Sequence, residues 1–245
     1  MIPARERGFP GFGGGALEFL RELDQHNDRT WFEFNRARYA RELRDPLAAL
    51  VEEVDARLAL VAPEIVGDPR RSLFRIHRDV RFSADKRPYK TNVAAWFFHD
   101  GAGHGVGSAT VAHGGAGFYV DIGLTGAFVG GGIWMPPRPT LERLRRAIDD
   151  DHESLAAILE TPAIRRRFGM LAPEAMLRRM PRGYRDPHPA AVLLRHRSFT
   201  LGRPLSARDL ASGRLPDILL RDFTRLLPLV RWLNGALGLR TRARR

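Results

Sequence analysis

The sequence contains no cysteine. Disulfides, thiolate nucleophiles and cysteine-ligated zinc are therefore excluded. Lysine is nearly absent: of 40 basic residues only Lys86 and Lys90 are lysine. Long apolar runs are missing too, and none approaches the roughly 20 residues a membrane-spanning helix needs. The opening MIPARERGFPGFGGG lacks the apolar core of a secretion signal. These absences lead to the expectation of a cytoplasmic protein with no membrane partner.

What is present fits a single α+β domain. The 245 residues, 44% of them hydrophobic, suffice for one sizeable core. That domain is expected over 1–245, with its folded core over 9–237 and flexible tails at 1–8 and 239–245. The net charge of +12 invites a nucleic-acid partner, but the charges are spread along the chain and several fall in the terminal RTRARR. Arginine in place of lysine is the mark of a GC-rich genome. Against that drift the two lysines stand four residues apart, and three of the four asparagines, Asn27, Asn35 and Asn92, fall in the first hundred residues. An ammonium is a compact charge on a flexible stem, which a guanidinium does not replace at a tight or proton-transferring site.

Both lysines lie in FRIHRDVRFSADKRPYKTN, Phe74 to Asn92, the stretch around which the chain is organised. Its first half alternates. Phe74, Ile76, Val80 and Phe82 share one face of a predicted strand with Arg78, while Arg75, His77, Asp79 and Arg81 occupy the other. A guanidinium on the apolar side needs a carboxylate or an anionic ligand, because it cannot shed its charge. The second half reads as a turn. Ser83 and Asp85 can bond nearby amides, and Pro88 holds Arg87 extended.

Elsewhere the elements follow periodicity and caps. G-x-G-x-x-A at Gly11 to Ala16 has no strand before it, so it is a lead-in to a helix over Leu17 to Leu23 and no dinucleotide site. Thr30 and Glu33 form a predicted capping box for the helix WFEFNRARYAREL, where Asn35 and Tyr39 are expected to stack at i, i+4. Asp45-Pro46 restarts a helix to about Val61. VAAWFF reads as a buried strand, and GFYVDIG with AFVGGGIWMP as a hairpin around Thr125-Gly126. Gly130 to Gly132 allow close approach of a ligand or backbone, or a bulge. His99, Asp100, His104 and His113 match no established ligand spacing, so surface histidines of a glycine-rich loop are expected and no metal. Thr140 is a predicted cap, Thr161-Pro162 starts a short helix, AAVLLR is helical, RSFTL is strand-like, and Ser206 with Asp209 forms a capping box. The last helix carries Leu219, Phe223, Leu226, Val230, Leu233 and Leu237 as one apolar seam, with a kink expected at Pro228.

The central motif FRIHRDVRFSADKRPYKT closely resembles the signature of the bacterial family known as domain of unknown function 2461. FPGF, the Asn27 to Tyr39 segment, FVGGGIWMP and PRGYRDPHP resemble it too, so the likeness runs from about Phe9 to Leu237. It implies an intact fold and site but carries no activity or cofactor with it. The family pattern has histidine where this chain has Asp121, which raises Asp121 as a substitute base.

Three readings of the cluster remain. In the first, a basic pocket binds a small phosphate- or carboxylate-bearing ligand and supports catalysis if the protein is an enzyme. Arg75, Arg78, Arg81, Asp85, Lys90, Asn35 and Tyr39 form the pocket, and Asp79, Tyr89 and Lys86 are the candidate catalytic groups. In the second, the protein is a nucleic-acid-binding module in which Phe82 and Tyr89 stack bases. In the third, the cluster is a structural Arg–Asp network in a protein acting through partners. Carboxylates opposite each arginine would favour the third reading, and unpaired cations converging on a concavity the first.

Overall fold

The computed structural model describes residues 8–81, 83–102, 115–173 and 176–241. It is an α+β fold built on a five-stranded antiparallel meander in the order β1-β2-β3-β4-β5: β1 Ile65–Val66, β2 Asn92–His99, β3 Gly117–Gly123, β4 Gly126–Ile133 and β5 Phe199–Leu205. The expected hairpin is β3–β4, with Gly123 opposite Gly126. Gly126 has φ +130°, which a side chain would resist at this turn.

Strand alternation divides the sheet into two faces. Val93, Ala95 and Phe97 of β2 and Phe118, Val120 and Ile122 of β3 are buried on the inner face. Against them lies α11 (Leu215–Ala236), whose Phe223 stacks on Phe118 at 4.5 Å and meets Phe97 edge-on at 5.2 Å. All six residues of the predicted seam are buried. Each such side chain contributes about 1.5–3 kcal/mol, which is why the helix continues through Pro228 in spite of one lost backbone bond. The buried side chains from Phe9 to Leu237 form one cluster.

The glycines of β4 serve backbone approach. Gly130, Gly131 and Gly132 pair in unbroken register with Gly202, Leu201 and Thr200, so no bulge forms. A Cβ on Gly132, at φ +128°, would sit 1.9 Å from the Phe199 carbonyl oxygen.

The amino-terminal helices differ from expectation. After α1 (Gly14–Gln25), α2 (Arg29–Phe34) is capped by Asp28, whose carboxylate accepts from Trp31 N at 2.9 Å, and not by Thr30. The helix predicted through WFEFNRARYAREL breaks at Asn35 into α3 (Arg36–Tyr39) and a π-helical turn over Ala40–Arg44, then resumes as α4 (Asp45–Val61). A four-residue helix, α5 (Pro69–Ser72), follows β1. Thr140 is likewise no cap: α6 (Arg138–Asp150) starts after Pro137 and buries it. Then come α7 (His152–Glu160), α8 (Pro162–Phe168), α9 (Ala191–Arg195) and α10 (Ala207–Leu210), the last with the expected Ser206–Asp209 capping box. Among the described residues no helix is long and apolar enough to cross a membrane.

His99 is not a surface histidine. It ends β2 only 3% exposed, accepts from Gly101 N at 3.0 Å, and its Nε2 lies 3.2 Å from the Arg240 carbonyl. His104 and His113 lie outside the described residues.

Candidate functional site

The basic stretch is no continuous strand. Leu73 bridges Ala95 and Phe74 N donates to Ala94 O at 2.9 Å, extending the edge of β2. The chain then leaves the sheet and folds back on itself. His77 and Tyr89 face each other, closed by Arg78 N to Pro88 O and Lys90 N to Ile76 O, both 2.8 Å. Beyond that pair the arm is irregular, because side chains take over the bonding that a ladder would supply. Arg81 N and Arg87 N donate to the carboxylates of Asp79 and Asp85, and Lys86 Nζ donates to Val80 O at 3.0 Å. Such local bonds compete with strand pairing. Phe82 lies outside the described residues.

Three of the arm's arginines meet acids. Arg78 reaches Asp85 at 2.5 Å, Arg87 bridges Asp85 and Asp24, and Arg81 holds Asp79 at 2.7 Å. The Arg81 side chain keeps the Asp79 carboxyl down at about 2, too weak a base to collect protons at neutral pH. Arg87, then Arg78, hold the Asp85 carboxyl well below the ordinary carboxylate range. At the surface, water and salt screen these pairs, so they order the arm more than they stabilise the fold. Arg78 and Asp85, both predicted as ligand-binding, are thus paired with each other, and Arg81, predicted as ligand-binding, is paired with Asp79, predicted as catalytic. Lys86 is exposed and tied to the turn.

Three further predicted site residues make contacts within the fold. Tyr89 is buried, its ring stacked on Phe32 at 4.1 Å and tilted against His77 at 5.1 Å; burial pushes its hydroxyl up. A ring covered in this way has no face for a base. Asn35 donates from Nδ2 to Trp31 O at 3.0 Å, and Tyr39 packs between Phe19 and Phe32, so their side chains turn to separate partners. Asn27 locks the arm to the helices: its Nδ2 donates to Tyr89 O at 3.1 Å and its Oδ1 accepts from Tyr89 N at 2.9 Å.

Lys90 points elsewhere. Next to Tyr89, it turns to the outer face of β2–β3, half-buried, with Nζ 5.4 Å from the centre of the Phe74 ring. On this face stand Asn92 of β2 and Tyr119 and Asp121 of β3. Asn92 Nδ2 donates to Asp121 Oδ1, and the Tyr119 hydroxyl donates to the same oxygen at 3.4 Å. The Phe74 ring meets Tyr119 edge-on at 5.8 Å. Burial pushes the Asp121 carboxyl up, against the pull of Asn92, Tyr119 and Lys90. Burial and the neighbouring Arg75 bring the Lys90 ammonium down. The Tyr119 phenol is pushed up by burial and by Asp121. Among the described residues no carboxylate lies within ion-pair distance of Lys90 or of the exposed Arg75.

Two cations side by side with no acid at ion-pair distance among the described residues, next to a carboxyl whose pKa burial raises, are groups of the kind that hold anions and exchange protons. Sequence reading brought Arg75, Lys90 and Asp121 forward. It missed Tyr119, which carries no local signal, and gave Asn92 and Asn27 no role beyond their rarity. Among the described residues no group of three or more acids and histidines could hold a metal ion.

No curated protein matches the chain, and no solved structure does. The family model described as "Conserved hypothetical protein (DUF2461)" matches residues 15–232, which span the arm, the whole sheet and most of α11. The chain belongs to the DUF2461 family.

Proposed function

We propose that the protein binds a small phosphate- or carboxylate-bearing molecule where the arm meets the outer face of β2–β3. Arg75 and Lys90 hold the anionic group, Arg75 through its fork and Lys90 as a point charge. Asn92, Tyr119 and Asp121 receive a hydroxyl or amide of the same ligand. If a reaction occurs there, Asp121 and Lys90 are the groups whose protonation is tuned for it. The observation that carries this reading is the contrast within one arm: Arg78, Arg81 and Arg87 each form an ion pair with an acid, while Arg75 and Lys90 sit together with no carboxylate at ion-pair distance among the described residues.

Isothermal titration with phosphorylated and carboxylated metabolites tests it. Lys90→Ala and Arg75→Ala are expected to weaken any binding at least tenfold, and Arg81→Ala to leave it within about twofold. Because the anion needs a charged Lys90, affinity falls as pH rises through that lowered pKa, and Lys90→Arg moves the loss to higher pH. Failure of every probe to bind the wild type, or binding that survives in the double variant, sinks the reading.

A further inference from the structure

On the inner side of the sheet a second concentration of arginine surrounds one acid. Asp222 of α11 is wholly buried and accepts from Arg167 Nε of α8 and from Arg203 of β5, through Nε at 2.8 Å and Nη2 at 2.7 Å. Arg203 stands opposite Val129, while its neighbour Pro204 stands opposite Phe128, the cross-strand partner of Asp121. Alternation therefore turns Arg203 to the face away from Asp121. Two adjoining cavities, of about 440 and 410 Å³, share Arg167 and Arg203 as lining. The first adds Arg208, Arg214 and Arg221, and the second adds Arg225 and another arginine of α8.

The cations outnumber the acids. Seven arginines line the pair of cavities, against Asp209 and Asp217 in the walls and Asp222 beneath. Asp209 is engaged in its capping box and Asp217 faces Arg57 at 3.4 Å. Among the described residues Arg208, Arg214 and Arg221 have no carboxylate at ion-pair distance, and Nη1 of Arg225 is buried without a hydrogen-bond partner. Arg167 gives Asp222 its Nε and lies over the Phe168 ring, and among the described residues its terminal nitrogens make no hydrogen bond. A guanidinium cannot neutralise itself by losing a proton. Asp222 fixes two forks at the junction of the cavities and leaves donors to spare.

We propose that this double cleft binds a small polyphosphate. An excess of four positive charges exceeds what one carboxylate or one phosphate balances, and forked donors suit an anion rich in oxygens. The volumes lie within the range of about 300–1,000 Å³ typical of small-ligand clefts, and the charge lines a concavity rather than a stripe along which nucleic acid would run. This site is independent of the one at Lys90.

The experiment is titration of the full chain with inorganic triphosphate across a salt series. Wild type is expected to bind, with affinity falling as salt rises. The triple variant Arg208→Ala/Arg214→Ala/Arg221→Ala removes arginines that hold no ion pair among the described residues, and is expected to lose at least tenfold. Arg221→Glu alone, as a single charge reversal, is expected to weaken binding as well. Three results would overturn the proposal: no binding at low salt, binding unchanged in both variants, or loss upon Lys90→Ala with retention in the triple variant. A 20-nucleotide RNA that binds through the same arginines far more tightly than triphosphate would overturn it too, by making the face a nucleic-acid surface.

Discussion

Asn92 and Asp121 are joined diagonally across β2 and β3, the carboxamide of one donating to Oδ1 of the other, with Asn92 itself opposite Gly123. The bond favours the ionised carboxylate, and burial opposes it more strongly. Asp121 therefore has its pKa raised on folding. Its contribution to stability is fully present below the ordinary value of 3.8 and is lost as pH rises through the raised value. Asp121→Asn is expected to remove that component. The difference in urea midpoint between wild type and variant should shift in the variant's favour as pH rises above about 4. Asn92→Ala should push the carboxyl higher still, which a carboxyl NMR titration reads directly.

The outer half of the arm should respond to acid in the opposite sense. Asp79 and Asp85 have folded pKa values lowered by Arg81 and by Arg87 with Arg78. Their contribution is present above the unfolded value of 3.8 and is lost as pH falls through the folded ones, at about 2 for Asp79. Amide exchange over residues 76–90, corrected for intrinsic rate, is expected to accelerate between about pH 4 and pH 2, while β3 and β4 stay protected. An arm that exchanges no faster at pH 2.5 than at pH 6 contradicts this.

Asn27 is expected to matter more to the arm than any of its ion pairs. Asn27→Ala strands both the N–H and the carbonyl of Tyr89, and should destabilise by about 2–3 kcal/mol. Asn27→Asp keeps the acceptor and loses the donor, so a smaller loss is expected. Urea denaturation ranks the two. Exchange at Tyr89 and Lys90 should rise in the same order.

The buried acid beneath the arginine cleft makes a sharper demand. Arg203→Ala leaves Asp222 with Arg167 as its remaining ion-pair partner, and a loss of about 1.5–3 kcal/mol is expected. Arg208→Ala, on the exposed rim, should change stability by less than about 0.5 kcal/mol. Equal losses in the two variants, measured by urea denaturation, would contradict the buried-pair account.

Several features were legible in the letters because their causes are local. The α11 seam repeats at three and four residues, Ser206 and Asp209 are three apart, and a glycine marks the β3–β4 turn. Others failed for lack of a local cause. Alternation in Phe74 to Phe82 predicted a strand, but a strand needs a partner along its length, and here the bridges stop at Leu73 and His77. Thr30 and Asp28 are both capping residues, and the letters do not say which one takes the amide of Trp31.

By itself, the sequence determined the α+β class, the hairpin, the long packing helix and the stretch in which charge collects, since periodicity, caps and composition act over a few residues. Which of those charges are satisfied was decided by tertiary structure alone. Asp24 lies 63 residues from Arg87 and Asn27 lies 62 from Tyr89. Asp121 meets Asn92 only because two strands pair, and Asp222 gathers Arg167 and Arg203 from a helix and a strand far apart in the chain. Coulomb attraction and desolvation depend on distance and burial, and neither is fixed by position along the chain.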